Sequence, residues 1–444
     1  MASPLRYESP GRTALPARLG SAARTPRGRR VLSVGAAGLL VVGLGLLVGL
    51  VEELAAPMGP GSHHDFLAFW AAGRLVLEGR PGALSEAAAL TAIQRAVIPS
   101  PIGANGYMPF INPPFAAVAF ATLAALPVEV ARAVWAGMSL ALLLAAGAWL
   151  ARPLPPPQRI AAAFLVALSE PAMVSLAEGQ WSAVLLVGGG AALWAARRGS
   201  WRLAGLALAS WWLKPQLLVL PIVALALGRR WTPIAWAVLG GLALAVGGLP
   251  FAGIDTYASY AAYLLQVGVS HFEGAGALAP TAWQGSLAST EGLNGLLVGA
   301  FGQGQVGVVD ALWAVLSVAL AGLWLAAAAA HRPGFDSPGG RRVLAAGVGV
   351  VLLTNPNLFA QDCTLVFLAV PILAAAGSDP SERWAAIVGV AGLAALVLVD
   401  QATGLHVFAI ALLVLTAAAC LGAVAAAPGG GRLAGLRARR VGGS

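Results

Sequence analysis

Few side chains in this sequence are suited to chemistry, and each sits among apolar neighbours. Asp65 opens the stretch Asp65-Phe66-Leu67-Ala68-Phe69-Trp70, directly after His63-His64. A carboxylate at the first turn of a helix is favoured by the helix dipole and serves as a cap. Held at a water–lipid boundary, the same carboxylate is a candidate general base. His63 and His64 would add metal-ligating nitrogens, but adjacent side chains point apart. No cofactor is therefore expected, with a divalent metal left open. Lys214 is the sole lysine and stands inside the apolar run Trp211-Trp212-Leu213-Lys214-Pro215-Gln216. An ammonium at membrane depth costs about 2.5–3.5 kcal/mol on insertion scales, so it snorkels, pairs with an acid or serves a function. Lysine binds phosphate as a point charge. Glu170-Pro171 interrupts one apolar run and Glu178-Gly179-Gln180-Trp181 ends it. Asp362 follows a break at Asn355-Pro356-Asn357. Each of these groups alone also suits a polar contact between helices.

The elements that must position them are membrane helices. Hydrophobic residues make up 59% of the chain and charged residues 10%, against roughly 25% charged in soluble domains. Apolar stretches long enough for a bilayer, about 20 residues, recur from Val31 to Ala427. In hydrocarbon the backbone must satisfy itself, so continuous apolar runs without strand alternation become helices. The expected fold is all-α: a polytopic transmembrane helical bundle of about 10–13 membrane helices, short broken ones included. Residues 1–30 read as a disordered basic cytoplasmic tail, 31–427 as one transmembrane domain, and 428–444 as a second basic tail. The net charge of +9 is distributed as short arginine clusters between apolar runs, which excludes a nucleic-acid surface. Cys363 and Cys420 lie in apolar segments without metal spacing. No P-loop, dinucleotide fingerprint, zinc-protease helix or nucleophile elbow is present.

Arginine near span ends marks the cytoplasm. This puts both termini inside and the loops 52–112 and 251–305 outside, the latter free of Lys and Arg. One arrangement satisfies every cluster. It makes 113–126 a short helix entered from outside, Leu203–Leu227 a broken hairpin turning at Lys214-Pro215, and Leu344–Ala376 a second broken pair turning near Asn355-Pro356-Asn357. The spans are then 130–151, 160–177, 181–196, 232–250, 306–330, 384–400 and 405–427, after 31–51. A rival lets 113–126 and 203–227 each cross once. Phe66, Phe69, Trp70, Gly73 and Leu77 follow helical spacing after Asp65, which predicts an amphipathic helix lying on the membrane surface. Tyr257, Tyr260, Tyr263, His271, Glu273, Trp283, Gln284 and Glu291 supply aromatics and polar tips in the second loop. They suit a sugar-binding surface or an interfacial belt.

An ordered set of motifs links these pieces: Asp65-Phe66-x-x-Phe69-Trp70-x-Ala72, Asn112-Pro113-Pro114-Phe115, Gly179-Gln180-Trp181, Lys214-Pro215 before Arg229-Arg230-Trp231, Leu293-Asn294-Gly295-Leu296, and Asn355-Pro356-Asn357-Leu358 through Asp362. In this order they resemble glycosyltransferase family 87, of the GT-C superfamily of integral-membrane transferases. Phe69 and Asn112 stand where the family commonly has tyrosine. The resemblance implies a bacterial plasma-membrane enzyme moving a hexose, mannose foremost, from a polyprenyl-phosphate donor to a lipid or glycan acceptor on the external face. The superfamily's first-loop aspartate matches Asp65. The expected substrate-binding set is Lys214, Arg74, Gln180, Asn294, Asp362, Glu170 and His64. A transporter or lipid flippase of the cell envelope is the alternative, since broken helices and an intramembrane lysine suit it; a non-catalytic scaffold is a third.

Overall fold

The long apolar runs form helices for the reason the composition gives, and their boundaries follow from local stop signals. A computed structural model describes residues 23–56, 65–98, 108–262, 290–375 and 379–426. Among the described residues, six helices are long and apolar enough to cross a membrane. The first, α1 (Pro26–Ala55), starts within the stretch expected to be tail. Thr25 caps it by accepting from Gly28 N at 2.9 Å, and Pro26 sits at the first helical position, the place where its missing N–H costs nothing. α2 (Asp65–Leu77), α3 (Ala87–Val97) and α4 (Pro114–Ala124) follow, then α5 (Val128–Leu150).

The expected 160–177 span is two helices, α6 (Pro156–Ala167) and α7 (Glu170–Glu178), bent by 52°. Pro171 lies in the first turn of α7, where it ends one ladder and starts another. Next come α8 (Ser182–Arg197) and the interrupted segment α9 (Trp201–Leu208), two 3-10 turns around Lys214, and α10 (Val219–Leu227). α11 (Trp231–Ala252) leads to the second loop. After it come α12 (Leu293–Phe301), α13 (Val306–His331), α14 (Pro338–Leu353), a 3-10 stretch Ala360–Leu368, α15 (Ala369–Ala374), α16 (Pro380–Thr403) and α17 (Val407–Ala425).

The segment 201–227 does turn back. The Arg230 guanidinium lies 4.3 Å from the centre of the Trp201 ring, so both ends of the segment meet while Lys214 occupies its tip. The residue before a proline is pushed out of the α region, and Lys214, at φ −135 and ψ 76, breaks the helix as the Lys214-Pro215 pair dictates. The segment 338–374 repeats the plan, with its tip at Asn355–Phe359. That tip is held by an isolated bridge between Thr290 and Phe359 and by Glu291 N donating to Leu358 O at 2.6 Å. α4, at 11 residues, is about 16 Å long and too short to cross.

Arginines gather at one end of the bundle. Arg197 lies over Phe335, Arg341 donates to Phe335 O, Arg383 reaches Pro153 O, and Arg24 pairs with Glu382 at 2.7 Å. Arg132 is the buried exception at the other end. It donates to Glu53, Leu54 and Ala56 carbonyls at 2.9–3.1 Å, satisfying the last turn of α1 as a cation should.

One expectation needs correcting. α2 is not a surface helix: Phe66 through Gly73 and Leu75 are all buried. Gly73 lets α4 come so near that a Cβ there would sit 2.8 Å from Phe120 O. Phe69, Phe120, Trp135 and Trp181 then pack tilted or edge to face, with ring centroids 4.8–5.8 Å apart. A helix apolar all round is a buried helix, and the small residues Ala68, Ala71 and Ala72 complete that circumference. The amphipathic helix of this loop is α3, which buries Ala89, Leu90 and Gln94 and exposes the rest in varying degree.

Candidate active site

Asp65 is the first residue of α2, and three other segments converge on it: the α7–α8 turn and the tips of the two hairpins. Its backbone N–H donates to Glu178 Oε2 at 3.2 Å. Its Oδ2 accepts from Gln180 Nε2. Gly179 makes both contacts reachable. It ends α7 in the left-handed region, at φ 69, and a Cβ on it would come within 2.5 Å of the Phe66 Cβ. Only glycine permits that backbone and that approach together. The carbonyl of Gly179 accepts from the Trp135 indole at 2.7 Å, and Gln180 N returns to Ser175 O at 2.9 Å. The Gly-Gln-Trp triplet is thus one device: the glycine turns the chain, the glutamine holds the aspartate, and Trp181 packs into the ring cluster beneath.

Lys214 comes from the tip of the first hairpin. Its Nζ donates to Asp362 Oδ1 at 2.6 Å, with side chains 12% and 1% exposed. Asp362 belongs to the second hairpin, so the ion pair joins the two tips. Asp362 Oδ2 has no hydrogen-bonding partner among the described residues. Asn112, just before α4, fixes the first tip by donating to Leu213 O at 2.9 Å. The charges of Lys214 and Asp362 both act on Asp65. Burial is the dominant influence on the Asp65 carboxyl and raises it above the ordinary aspartate range; the Gln180 bond and the Lys214 charge oppose that shift.

Of the expected residues, the structure brings Asp65, Gln180, Lys214 and Asp362 together. It sets others apart. Arg74 lies nine residues further along α2, about 13 Å away by helical rise. There it donates to Ala124 O at 3.4 Å, lies over Trp70 and faces Glu78 at 3.7 Å. Glu170 sits at the opposite end of α7 from Glu178, among Leu39, Leu46, Leu165 and Ala391. Asn294 is fully buried and clamps the second tip, donating to Pro356 O at 2.8 Å. His63, His64, Tyr263, His271, Glu273, Trp283 and Gln284 lie outside the described residues.

Sequence reasoning under-weighted two residues. Glu178 is the direct partner of the Asp65 backbone, and its place one residue before the Gly-Gln pair was the signal. Asn112 was legible as a motif position, but nothing local to it indicates Leu213, 101 residues away.

The arrangement offers a carboxylate and a paired ammonium at the meeting of two returning helices and a loop helix. Non-helical backbone at such depth is tolerated where it is buried or lines a wet site. No curated protein and no solved structure matches the chain. The family model of glycosyltransferase family 87 matches residues 110–356, more than half of the chain. The match spans Asn112, Gln180, Lys214, Asn294 and Asn355, while Asp65 and Asp362 lie outside it and join it through the bonds above. Membership decides between the transferase and the transporter or scaffold: this chain belongs to glycosyltransferase family 87 and is a membrane glycosyltransferase.

Proposed function

We propose that this enzyme transfers a hexose, mannose foremost, from a polyprenyl-phosphate donor to a lipid or glycan acceptor by single displacement with inversion. The observation that carries the proposal is the meeting of Asp65, fixed by Gln180, with the Lys214–Asp362 pair. The acceptor hydroxyl oxygen forms the new bond to the anomeric carbon. The bond from that carbon to the phosphate oxygen breaks on the opposite face. The hydroxyl proton passes to Asp65, and the lipid phosphate leaves with its electron pair. Phosphate is a good leaving group, so one base suffices, unlike glycoside hydrolysis with its paired acid.

Lys214 supplies the charge that stabilises the departing phosphate. Its Nζ carries three donors and Asp362 takes one, which leaves two for phosphate oxygens. A buried carboxylate with a raised proton affinity is a stronger base than a solvated one. The arginine-rich end lies in the cytoplasm under the positive-inside rule, which puts this site at the external face of the plasma membrane. The test uses purified protein in lipid with polyprenyl-phosphate-linked mannose and an envelope-lipid acceptor extract. Acceptor-dependent release of free polyprenyl phosphate is expected from the wild type and not from Asp65→Ala. Release that persists in the variant removes Asp65 from the reaction. No release with any of several lipid-linked sugars refutes the donor class.

A further inference from the structure

A cavity of about 590 Å3 opens at the arginine-rich end, away from Asp65, Lys214 and Asp362. It lies between α8, the first hairpin and α14. Its deep walls are apolar, including Trp211, Leu220, Val348 and Leu368. Its mouth carries Arg197, Arg230 and Arg332 against a single acid, Asp336. None of these four makes an ion pair among the described residues. Two of the guanidiniums are instead propped on rings, Arg197 on Phe335 and Arg230 on Trp201, which orients the planar donors without using their N–H groups.

Arginine at this end is accounted for by membrane orientation alone. An apolar cavity beneath it is not. α10 makes the point: its nine residues are Val, Leu, Pro, Ile and Ala, and one stretch of it lines the cavity. Leu220, Pro221, Ala224 and Leu225 face the cavity. A helix so apolar, packed on protein at only part of its circumference, requires an apolar neighbour where it meets the cavity. A ligand with an apolar chain and an anionic head meets both demands at once.

We propose that this cavity binds one anionic phospholipid, with its phosphate between Arg197, Arg230 and Arg332 and an acyl chain along α10 and α14. The closed end of the cavity reaches Trp211, three residues before Lys214, and Leu368, six after Asp362. The lipid therefore fills the space beneath both hairpins that carry the ion pair. Nothing in this site requires the donor or the reaction proposed above.

The test is native mass spectrometry of the full-length, delipidated protein in neutral detergent. The probes are palmitoyl-oleoyl phosphatidylglycerol, the matching phosphatidylcholine and inorganic phosphate. Wild type is expected to retain one phosphatidylglycerol about tenfold more tightly than phosphatidylcholine, the scale set by several basic side chains at one headgroup. The triple variant Arg197→Gln/Arg230→Gln/Arg332→Gln should lose that preference. Ala224→Trp, which fills the cleft and leaves every arginine in place, should lose the bound lipid. Equal retention of the two lipids by wild type overturns the proposal. So does unchanged phosphatidylglycerol retention in Ala224→Trp, which decides the matter if the triple variant fails to fold. Displacement of the lipid by millimolar inorganic phosphate would show a bare anion site and refute the lipid.

Discussion

Asp65 combines two demands that conflict in water. It must be ionised to accept a proton and must hold that proton firmly once taken. Burial raises its proton affinity, while the Gln180 amide and the Lys214 charge keep the ionised form accessible. Asp65→Asn keeps the shape and removes the base, so transfer should fall about 10²–10⁴-fold, the usual contribution of general base catalysis. Thermal stability of the variant should be near that of wild type, and initial-rate assays against melting curves check both. Because the folded-state affinity is raised, the base is lost as pH falls through a value above the ordinary aspartate range. The acid limb of kcat/KM should therefore sit above pH ~4, where a solvated aspartate titrates. A limb at or below that value would argue that Asp65 is solvated or is not the base.

At the scale of elements, the site exists because two hairpins and one buried loop helix meet. The Lys214–Asp362 pair joins the hairpin tips with side chains 12% and 1% exposed. Removing one member of a buried pair costs about 3–5 kcal/mol, while replacing both by apolar residues is often neutral. Lys214→Met should therefore lose stability and activity together. Lys214→Met with Asp362→Leu should regain much of the melting temperature and none of the transfer. Recovery of transfer in the double variant would assign the pair a purely structural role. Gly179 gives a second separation. Alanine there meets a left-handed backbone, costing roughly 1–2 kcal/mol, and also the Phe66 side chain. Gly404→Ala meets the same left-handed backbone, at φ 69 and ψ 16, with open space around it. Gly179→Ala should thus lower the melting temperature further than Gly404→Ala and depress activity, since Gln180 moves with it. Equal effects would mean that α2 tolerates displacement. Much of this scale was legible in the sequence. Lys214-Pro215 and Asn355-Pro356-Asn357 marked both turns, because proline chemistry is local. The burial of α2 was not, because Phe66, Phe69 and Trp70 alone describe one face. What covers the opposite face is α4, and its approach depends on Gly73 and Phe120, 47 residues apart in sequence. The partnership of Lys214 with Asp362, 148 residues apart, likewise has no local signal.

Over the whole molecule, charge is sorted by end. Most arginines gather at the end with the cavity, with Arg74 and Arg132 standing apart from them, and the opposite end collects Asp65, Glu178, Asp362, Glu291 and Asp400. Glu291 is the member whose cost can be read in solution. It is 4% exposed, beside the second tip, and its Oε2 has no partner among the described residues. Burial, then a hydrogen bond with Asp400, then the charges of Asp400 and Glu170 push its carboxyl up from 4.5 to about 8. Asp400 itself accepts from Phe408 N at 2.9 Å and from Val407 N, so it caps α17. The sign follows from linkage. Below about pH 4.5 Glu291 is protonated in both folded and unfolded chains, and its contribution is fully present. Between about 4.5 and 8 the unfolded chain releases the proton and the folded one keeps it, so stability falls as pH rises. Nearby His406 acts in the opposite sense, because burial lowers its proton affinity. Its contribution cancels when wild type is compared with Glu291→Gln, which keeps the amide-sized shape and carries no titratable proton. The melting temperature of wild type minus that of Glu291→Gln, measured in one detergent at pH 5, 6.5 and 8, should become more negative at each step. A difference that stays flat across that range would show that Glu291 is ionised in the folded protein, and that the acid-rich end holds its tips together by charge rather than by a shared proton.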